Sequence, residues 1–193
     1  MTKLVGLSIA HFPKKVGADF CGFNEHNESK VWIMLVERAL KNLGIGVVVA
    51  PVGGLRSKVA WLNKHNPEVS VELHFNGSVN PNVAGCETLF YPGSKKGLVF
   101  ANTVHRAYKE SMGNRDRGVK EGWYRMDRPM IVDYAGDVDG DEMPDYFLRE
   151  TNCPALILEP DFIAQVNNIT TRRFDACVAI AKGIKIYLET LGG

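Results

Sequence analysis

Apolar residues recur along the chain with two periods, and their alternation predicts an order of strands and helices. Leu4 to Ala10 is an apolar run of strand length that breaks at His11, Pro13, Lys14 and Lys15, and it predicts the first strand. A loop of small and polar residues follows over Gly17 to Glu25. Trp32, Leu35, Val36, Ala39, Leu40 and Leu43 then stand at offsets 0, 3, 4, 7, 8 and 11, one face of a helix that Gly44 closes. Ile45 to Ala50 reads as a buried strand, so strand, helix and strand imply a parallel pair. Ser57 is expected to cap a short second helix reaching Asn66, which Pro67 stops. In the next run, VSVELHFN, Val69, Val71, Leu73 and Phe75 fall on one face and Ser70, Glu72, His74 and Asn76 on the other. Cys86 to Tyr91 predicts a further strand closed by Pro92-Gly93, and Ser94 caps a third helix with Leu98, Ala101, His105, Tyr108 and Met112 on its apolar face. Pro154 to Glu159 predicts another buried strand, and the last helix packs Phe174, Cys177, Val178, Ala181, Ile184, Leu188 and Leu191. The expectation is one α/β domain over residues 1–193, with a mostly parallel twisted sheet and helices on both faces.

Composition narrows the function classes. At 193 residues, 45% hydrophobic and a formal net charge of +1, the chain suits one globular unit with a real core, and its near-neutral balance argues against a nucleic-acid partner. No stretch approaches the roughly 20 apolar residues of a membrane helix, so no stable membrane association is expected. The run Leu4 to Ala10 is short for a secretory signal and lacks a small-residue cleavage site, so the expectation is a monomer synthesised in the cytoplasm without a signal peptide. Cys21, Cys86, Cys153 and Cys177 form no CxxC pair, which disfavours a thiolate zinc site and a redox motif, and they are expected as reduced thiols packed as small apolar groups.

In open α/β sheets ligands collect beyond the carboxyl ends of the strands. His11, His74 and Glu159 stand at such ends or in the loops after them, and Glu25 lies in the loop ahead of the first helix. Two neutral imidazoles with one carboxylate are the ligand set of a catalytic zinc, which keeps one position open. A second carboxylate that is not a ligand is what metal-assisted hydrolysis needs as a general base. Residue types alone leave open which carboxylate does which. His105 belongs to helix packing, and His65, late in the second helix, to the surface.

Several segments, taken in order, resemble a known family. They are His11 with Gly17-Ala18 following, Glu25 ahead of the first helix, HFN at His74 to Asn76, GCETLFYPGS from Gly85 to Ser94, DRGVK from Asp116 to Lys120, and PALILEPDFI from Pro154 to Ile163. Together they resemble the zinc-dependent N-acetylmuramoyl-L-alanine amidases of the amidase-3 type, found in bacterial wall remodelling and phage endolysins. The resemblance implies Zn2+ held by His11, Glu25 and His74, with Glu159 as the catalytic carboxylate. It implies hydrolysis of the amide joining N-acetylmuramic acid to L-alanine in peptidoglycan. The chain departs from the pattern where members usually carry glycines around the first histidine, since it reads Ala10-His11-Phe12-Pro13, and the first loop is expected to run differently. Glu28 is a competing glutamate that reads as an N-terminal helix charge, and His26 is a weaker rival. Glu72 shares a face with His74 and reads as a solvent contact, with a role behind the histidine as the other option.

Asn76, Arg117, Lys120, Trp123 and Arg125 are candidates to border a groove for glycan and stem peptide, the cations facing stem carboxylates. Asp137, Asp139, Asp141 and Asp145 suggest a calcium loop, but the glycine falls at the wrong position and a hairpin turning at Asp139-Gly140 explains the same residues. Two other readings stay open: a different zinc peptidase acting within the stem peptide, and an inactive peptidoglycan-binding module. A phage or prophage lysin that reaches the wall after release is the expected setting.

Overall fold

The computed structural model describes residues 3–125, 131–133 and 142–192. Its main sheet runs in the order β4-β1-β5-β10-β6-β7-β8, with β9 pairing the outer half of β7. The strands are β1 (Leu4–Ile9), β4 (Gly46–Val49), β5 (Val69–Leu73), β6 (Cys86–Phe90), β7 (Asp116–Arg125), β8 (Ile131–Asp133), β9 (Glu142–Pro144) and β10 (Ala155–Glu159). A separate two-residue pair, β2 (Asp19–Phe20) and β3 (Phe23–Asn24), forms the loop before the first helix. β1 pairs in parallel with both β4 and β5, and β5 with β10, while β10 and β6 run antiparallel. The mostly parallel α/β architecture is therefore as expected.

The helices are α1 (Glu25–Asn42), α2 (Leu55–His65), α3 (Lys95–Met112), α4 (Tyr146–Glu150) and α5 (Val166–Thr190). α1, α3 and α5 cover one face, where Val5, Leu7, Val69, Val71, Leu73, Leu156 and Leu158 meet Trp32, Phe100 and Ile180. α2 and α4 cover the other, where Val59, Leu62 and Phe147 meet Leu89 and Ile157. Strand alternation thus delivers apolar side chains to both layers, each fully buried Leu, Ile, Val or Phe contributing about 1.5–3 kcal/mol. Gly183 of α5 lies so close to α3 that a Cβ would stand 2.8 Å from Val104 Cα, which lets these two helices pack tightly.

The structure differs from the sequence expectations at several points. α2 starts at Leu55 on Gly54, which has no side chain to cap it, so Ser57 is the third helical residue and its hydroxyl donates back to Gly54 O at 2.7 Å. β4 is an edge strand and only half-buried, since one flank faces no other strand. Leu98 of α3 is exposed while Phe100 and Val104 carry its buried face, and Phe174 and Leu191 of the last helix are exposed. Cys86 and Cys177 are buried as expected, but Cys21 is exposed, and all four thiols are free. Among the described residues no helix is long and apolar enough to cross a membrane. The proposed turn at Asp139-Gly140, with Asp137 and Asp141, lies outside the described residues. Asp145 lies inside them, and its Oδ1 caps α4 by accepting from Phe147 N and Leu148 N at 2.8 and 3.2 Å.

Candidate metal centre

The ends of β1 and β5 are clasped from the α1 side by two side chains of that helix. Ser29 Oγ accepts from Ala10 N at 2.9 Å and donates to Leu73 O at 2.6 Å, so one hydroxyl ties the last residue before His11 to the last residue before His74. His26 Nδ1 donates to Ala10 O at 2.8 Å, which turns this histidine away from the site. Glu25 is the first residue of α1 rather than part of the loop, because Asn24 caps the helix by accepting from Asn27 N at 3.0 Å. Capping there fixes the direction in which the Glu25 side chain leaves the helix.

That direction is into a cleft of about 580 Å³ lined by His11, Glu25, Glu72, His74, Asn76 and Glu159, among others. Glu25 bridges the two histidines, with Oε2 at 2.9 Å from His11 Nε2 and Oε1 at 2.8 Å from His74 Nδ1. The carboxylate also accepts from Ala18 N at 2.9 Å and Phe75 N at 3.1 Å, so both its oxygens are pinned by the backbone. His11, Glu25 and His74 offer ligand atoms that all lie within 4.8 Å of one another. His11 has φ of 55°, the left-handed region that costs a non-glycine residue about 1–3 kcal/mol and recurs at functional sites. The unusual turn angle therefore sits on the histidine itself, and Pro13 is enclosed by a bridge between Phe12 and Lys15. Gly17 closes the near wall, where any Cβ would run into Glu25 Oε2 and the His11 ring.

Charge is concentrated here and little of it meets water. Burial pushes the Glu25 carboxyl up, but hydrogen bonds and charge from His11 and His74 outweigh it and hold the group well below the ordinary carboxylate range. Burial works against the His74 cation too, yet the hydrogen bonds it donates to Glu25 and Glu72, with their charges, raise it well above an ordinary imidazole. Glu72 is itself buried and not a solvent contact: its Oε2 lies 3.1 Å from His74 Nε2, and its Oε1 accepts from Lys58 Nζ at 2.8 Å and Ser8 Oγ at 2.7 Å. Despite the burial, the Lys58 charge and the His74 hydrogen bond bring Glu72 down to about 2. Glu159 is different. It is 5% exposed, its Oε2 is buried without a hydrogen-bond partner, and burial raises it well above a normal carboxyl; the Glu25, Glu87 and Glu72 charges reinforce that rise against His74.

The other candidates divide. Asn76 lines the cleft and donates from Nδ2 to Glu87 Oε1 at 2.7 Å. Arg117 and Lys120 stand beside it, donating to Glu87 Oε2 from Nε at 3.0 Å and Nζ at 2.8 Å, and the Arg117 guanidinium lies 5.0 Å from the centre of the Phe162 ring. Trp123 is half-buried farther along β7, with Nε1 donating to Glu121 at 3.3 Å. Arg125 ends β7, and its side chain lies outside the described residues. Glu28 is away from the cleft, accepting from Trp32 Nε1 at 2.9 Å and paired with Arg173 at 3.2 Å. His105 is buried between Thr88 and Asp116, and His65 is on the surface against Trp61. Sequence reasoning missed Lys58, Ser8 and Glu87. Ser8 and Glu87 carried a signal, being polar at strand positions that alternate with Leu7, Ile9, Cys86 and Thr88.

The donor set fits a metal ion. Two imidazoles and a carboxylate converge, the glycine beside them leaves room that a side chain would fill, and a buried carboxyl oxygen without a partner faces the same cleft. Oxygen and nitrogen donors with no thiolate suit a catalytic rather than a closed structural zinc site.

The sequence matches the model of a family described as N-acetylmuramoyl-L-alanine amidase over residues 6–185. No curated protein matches the chain. Among solved structures, an N-acetylmuramoyl-L-alanine amidase from Clostridium difficile 630 superimposes with a TM-score of 0.82 at 21% identity, covering 99% of each chain. The catalytic domain of CwlV, an amidase from Bacillus (Paenibacillus) polymyxa var. colistinus, gives 0.76 at 24% identity over 97% of this chain and 99% of that one. The catalytic domain of the CD27L endolysin, which targets Clostridia difficile, gives 0.70 at 17% identity over 95% of this chain and 97% of that one. These likenesses establish a shared fold.

Proposed function

Since the chain belongs to the N-acetylmuramoyl-L-alanine amidase family, we propose that residues 1–193 form a zinc-dependent catalytic domain. It hydrolyses the amide between N-acetylmuramic acid and the first L-alanine of the peptidoglycan stem. His11, Glu25 and His74 hold the ion and Glu159 is the general base. The observation that carries this reading is the meeting, in one cleft, of two histidines bridged by a pinned carboxylate with a second, buried carboxylate whose Oε2 has no partner.

Zinc held there supplies Lewis acidity toward a carbonyl oxygen and toward water. The chain's own residues do the rest. Glu25, fixed by the Ala18 and Phe75 N–H groups, sets the separation of the two imidazoles. Glu159 takes the proton of the attacking water and returns it to the leaving amine nitrogen, a role that suits a carboxyl with an uncommitted oxygen in a partly dry cleft. Asn76 borders the cleft, and through Glu87 it adjoins Arg117 and Lys120, which we assign to carboxylates of the stem peptide. Trp123 and Arg125 are given no part in this edge, because β7 runs parallel to β6 and so away from the Glu159 end of the sheet. The chain acts as a monomer on the cell wall after release from the cytoplasm, as a phage or prophage lysin does, a setting supported by the likeness to an endolysin catalytic domain.

The test is product analysis on purified walls. A new amino group on L-alanine with the glycan intact, lost with chelator and restored by zinc, is the expected result. Cleavage between stem residues would mean a peptidase, pelleting with wall and no product would mean a binding module, and full turnover in a zinc-free preparation would refute the metal role.

A further inference from the structure

Behind His74, on the side away from Glu25, lies an ion pair withdrawn from water. Lys58 and Glu72 are each 3% exposed, and Ser8 beside them is fully buried. Charges in such a place are held at a desolvation cost, and replacing a buried pair by apolar residues is often neutral or stabilising. The pair is therefore poorly explained by stability alone, and its position suggests another reason. Glu72 and His74 are two residues apart at the end of β5, so their side chains leave the same face of the strand. Glu72 Oε2 meets His74 Nε2 at 3.1 Å, while His74 Nδ1 faces Glu25 at 2.8 Å. The carboxylate has two oxygens with separate duties. Oε2 takes the histidine, and Oε1 is held by Lys58 Nζ at 2.8 Å and Ser8 Oγ at 2.7 Å.

The ammonium is itself fixed, since Lys58 Nζ also donates to Ile9 O at 2.5 Å, the last residue of β1. Lys58 reaches this point from α2, on the opposite side of the sheet from α1. What Ser29 does from one face, joining Ala10 to Leu73, Lys58 does from the other, joining Ile9 to Glu72. A histidine that donates one ring N–H to an anchored carboxylate keeps its other nitrogen as the donor toward an ion, and its ring cannot rotate without breaking that bond.

We infer that Lys58 is a positioning residue for the metal centre, acting through Glu72: it locks the carboxylate that holds the His74 Nε2–H and so presents His74 Nδ1 to the ion. The inference rests on the metal reading above and extends it to residues outside the ligand set. Glu72 directs the ring, and Lys58 directs Glu72.

The experiment measures zinc affinity by competition with a chromophoric chelator for the unaltered chain, Glu72→Gln, Lys58→Met and the double variant, with the melting temperature of each metal-free protein. Glu72→Gln keeps the shape but offers an amide where His74 needs a carboxylate. Loss of such an outer partner typically costs about 10–100-fold in metal affinity. Glu72→Gln and Lys58→Met are each expected to lose affinity in that range, and the double variant is expected to lose little more than Glu72→Gln alone, because both act along one line. In the zinc-loaded protein the His74 Nε2–H proton should be visible by NMR and slow to exchange in the unaltered chain, and fast in Lys58→Met. Affinities within twofold of the unaltered chain would overturn the inference and leave the metal reading standing. Losses that multiply in the double variant would also overturn it, since Lys58 would then act independently. Failure of the unaltered chain to take up zinc would sink both. If Lys58→Met does not fold, Lys58→Gln, which keeps a polar end without the charge, takes its place in the same cycle and is judged by the same affinities.

Discussion

Replacing Glu159 by glutamine separates its possible roles with a single change of one atom type. The side chain ends β10 and is buried, with Oε2 free of any hydrogen bond, so an amide of the same shape breaks no partner of that oxygen. If Glu159 is the general base, turnover should fall by about 10²–10⁴, equivalent to about 2.7–5.5 kcal/mol at 1.36 kcal/mol per tenfold, with the loss in kcat because the proton moves only in the transition state. Stability should move the other way. Burial, reinforced by Glu25, Glu87 and Glu72, raises the folded carboxyl well above its unfolded value, so the metal-free protein binds this proton more tightly when folded. An acid with a raised folded pKa favours the fold below the unfolded pKa and loses that contribution as pH climbs toward the folded one. The metal-free glutamine variant should therefore melt no lower than the unaltered chain at neutral pH, and its melting temperature should fall less as pH rises from 4 to 8. A bound divalent cation opposes those three carboxylates, so the difference should shrink when zinc is present. Turnover on purified wall, zinc content and melting temperature are read on one preparation. Lost zinc would make Glu159 a ligand, a lower melting temperature with normal turnover would make it structural, and either result refutes the assignment.

Two further substitutions probe the same cleft. Glu25→Gln should weaken zinc retention sharply, whereas Glu28→Gln, which disturbs the Trp32 and Arg173 contacts, should keep zinc and lower stability by about 1–3 kcal/mol, seen as a lower melting temperature; the reverse order would mean the wrong glutamate was chosen. Gly17→Ala should reduce zinc binding and activity together, because the added methyl collides with Glu25 and His11 at a positive φ of 78°, and an alanine variant with unaltered zinc affinity would show that this wall is not part of the metal centre.

The order of β1, α1, β4, α2, β5, β6, α3, β10 and α5 was legible because it is written in local periodicity, whereas β2, β3, β7, β8, β9 and α4 were not anticipated. The stripe from Trp32 to Leu43 and the runs at Val69 and Ala155 say helix or strand without reference to anything distant. Errors fell where solvent exposure depends on what packs above a residue. Leu98 and Phe174 stand on the apolar stripes of their helices yet face water, and β4 is as apolar as a central strand but lies at the edge of the sheet. Cap choice at α2 was lost because the helix starts two residues ahead of Ser57, at Leu55, which puts the cap position on Gly54.

In the candidate site, His11, His74 and Glu159 stand at strand ends or just beyond them, and a parallel sheet carries such ends to a common edge. Glu25 was visible as a carboxylate near the first helix, although its bridging geometry follows from the Asn24 cap and the two backbone amides that grip it. Lys58 had no comparable signal. It occupies a helix face among Val59 and Leu62, where a lysine ordinarily runs its stem along apolar surface and lifts its ammonium into water. Only the fold brings Glu72 and Ile9 O within reach of that ammonium and closes off the water, so a residue that reads as a surface charge becomes the most deeply buried cation near the site. The distinction matters for any search by pattern. Residues that touch an ion are constrained by its chemistry and recur as recognisable types, whereas a residue that holds a ligand's partner is constrained only by the distance it must span, and several side chains can span it.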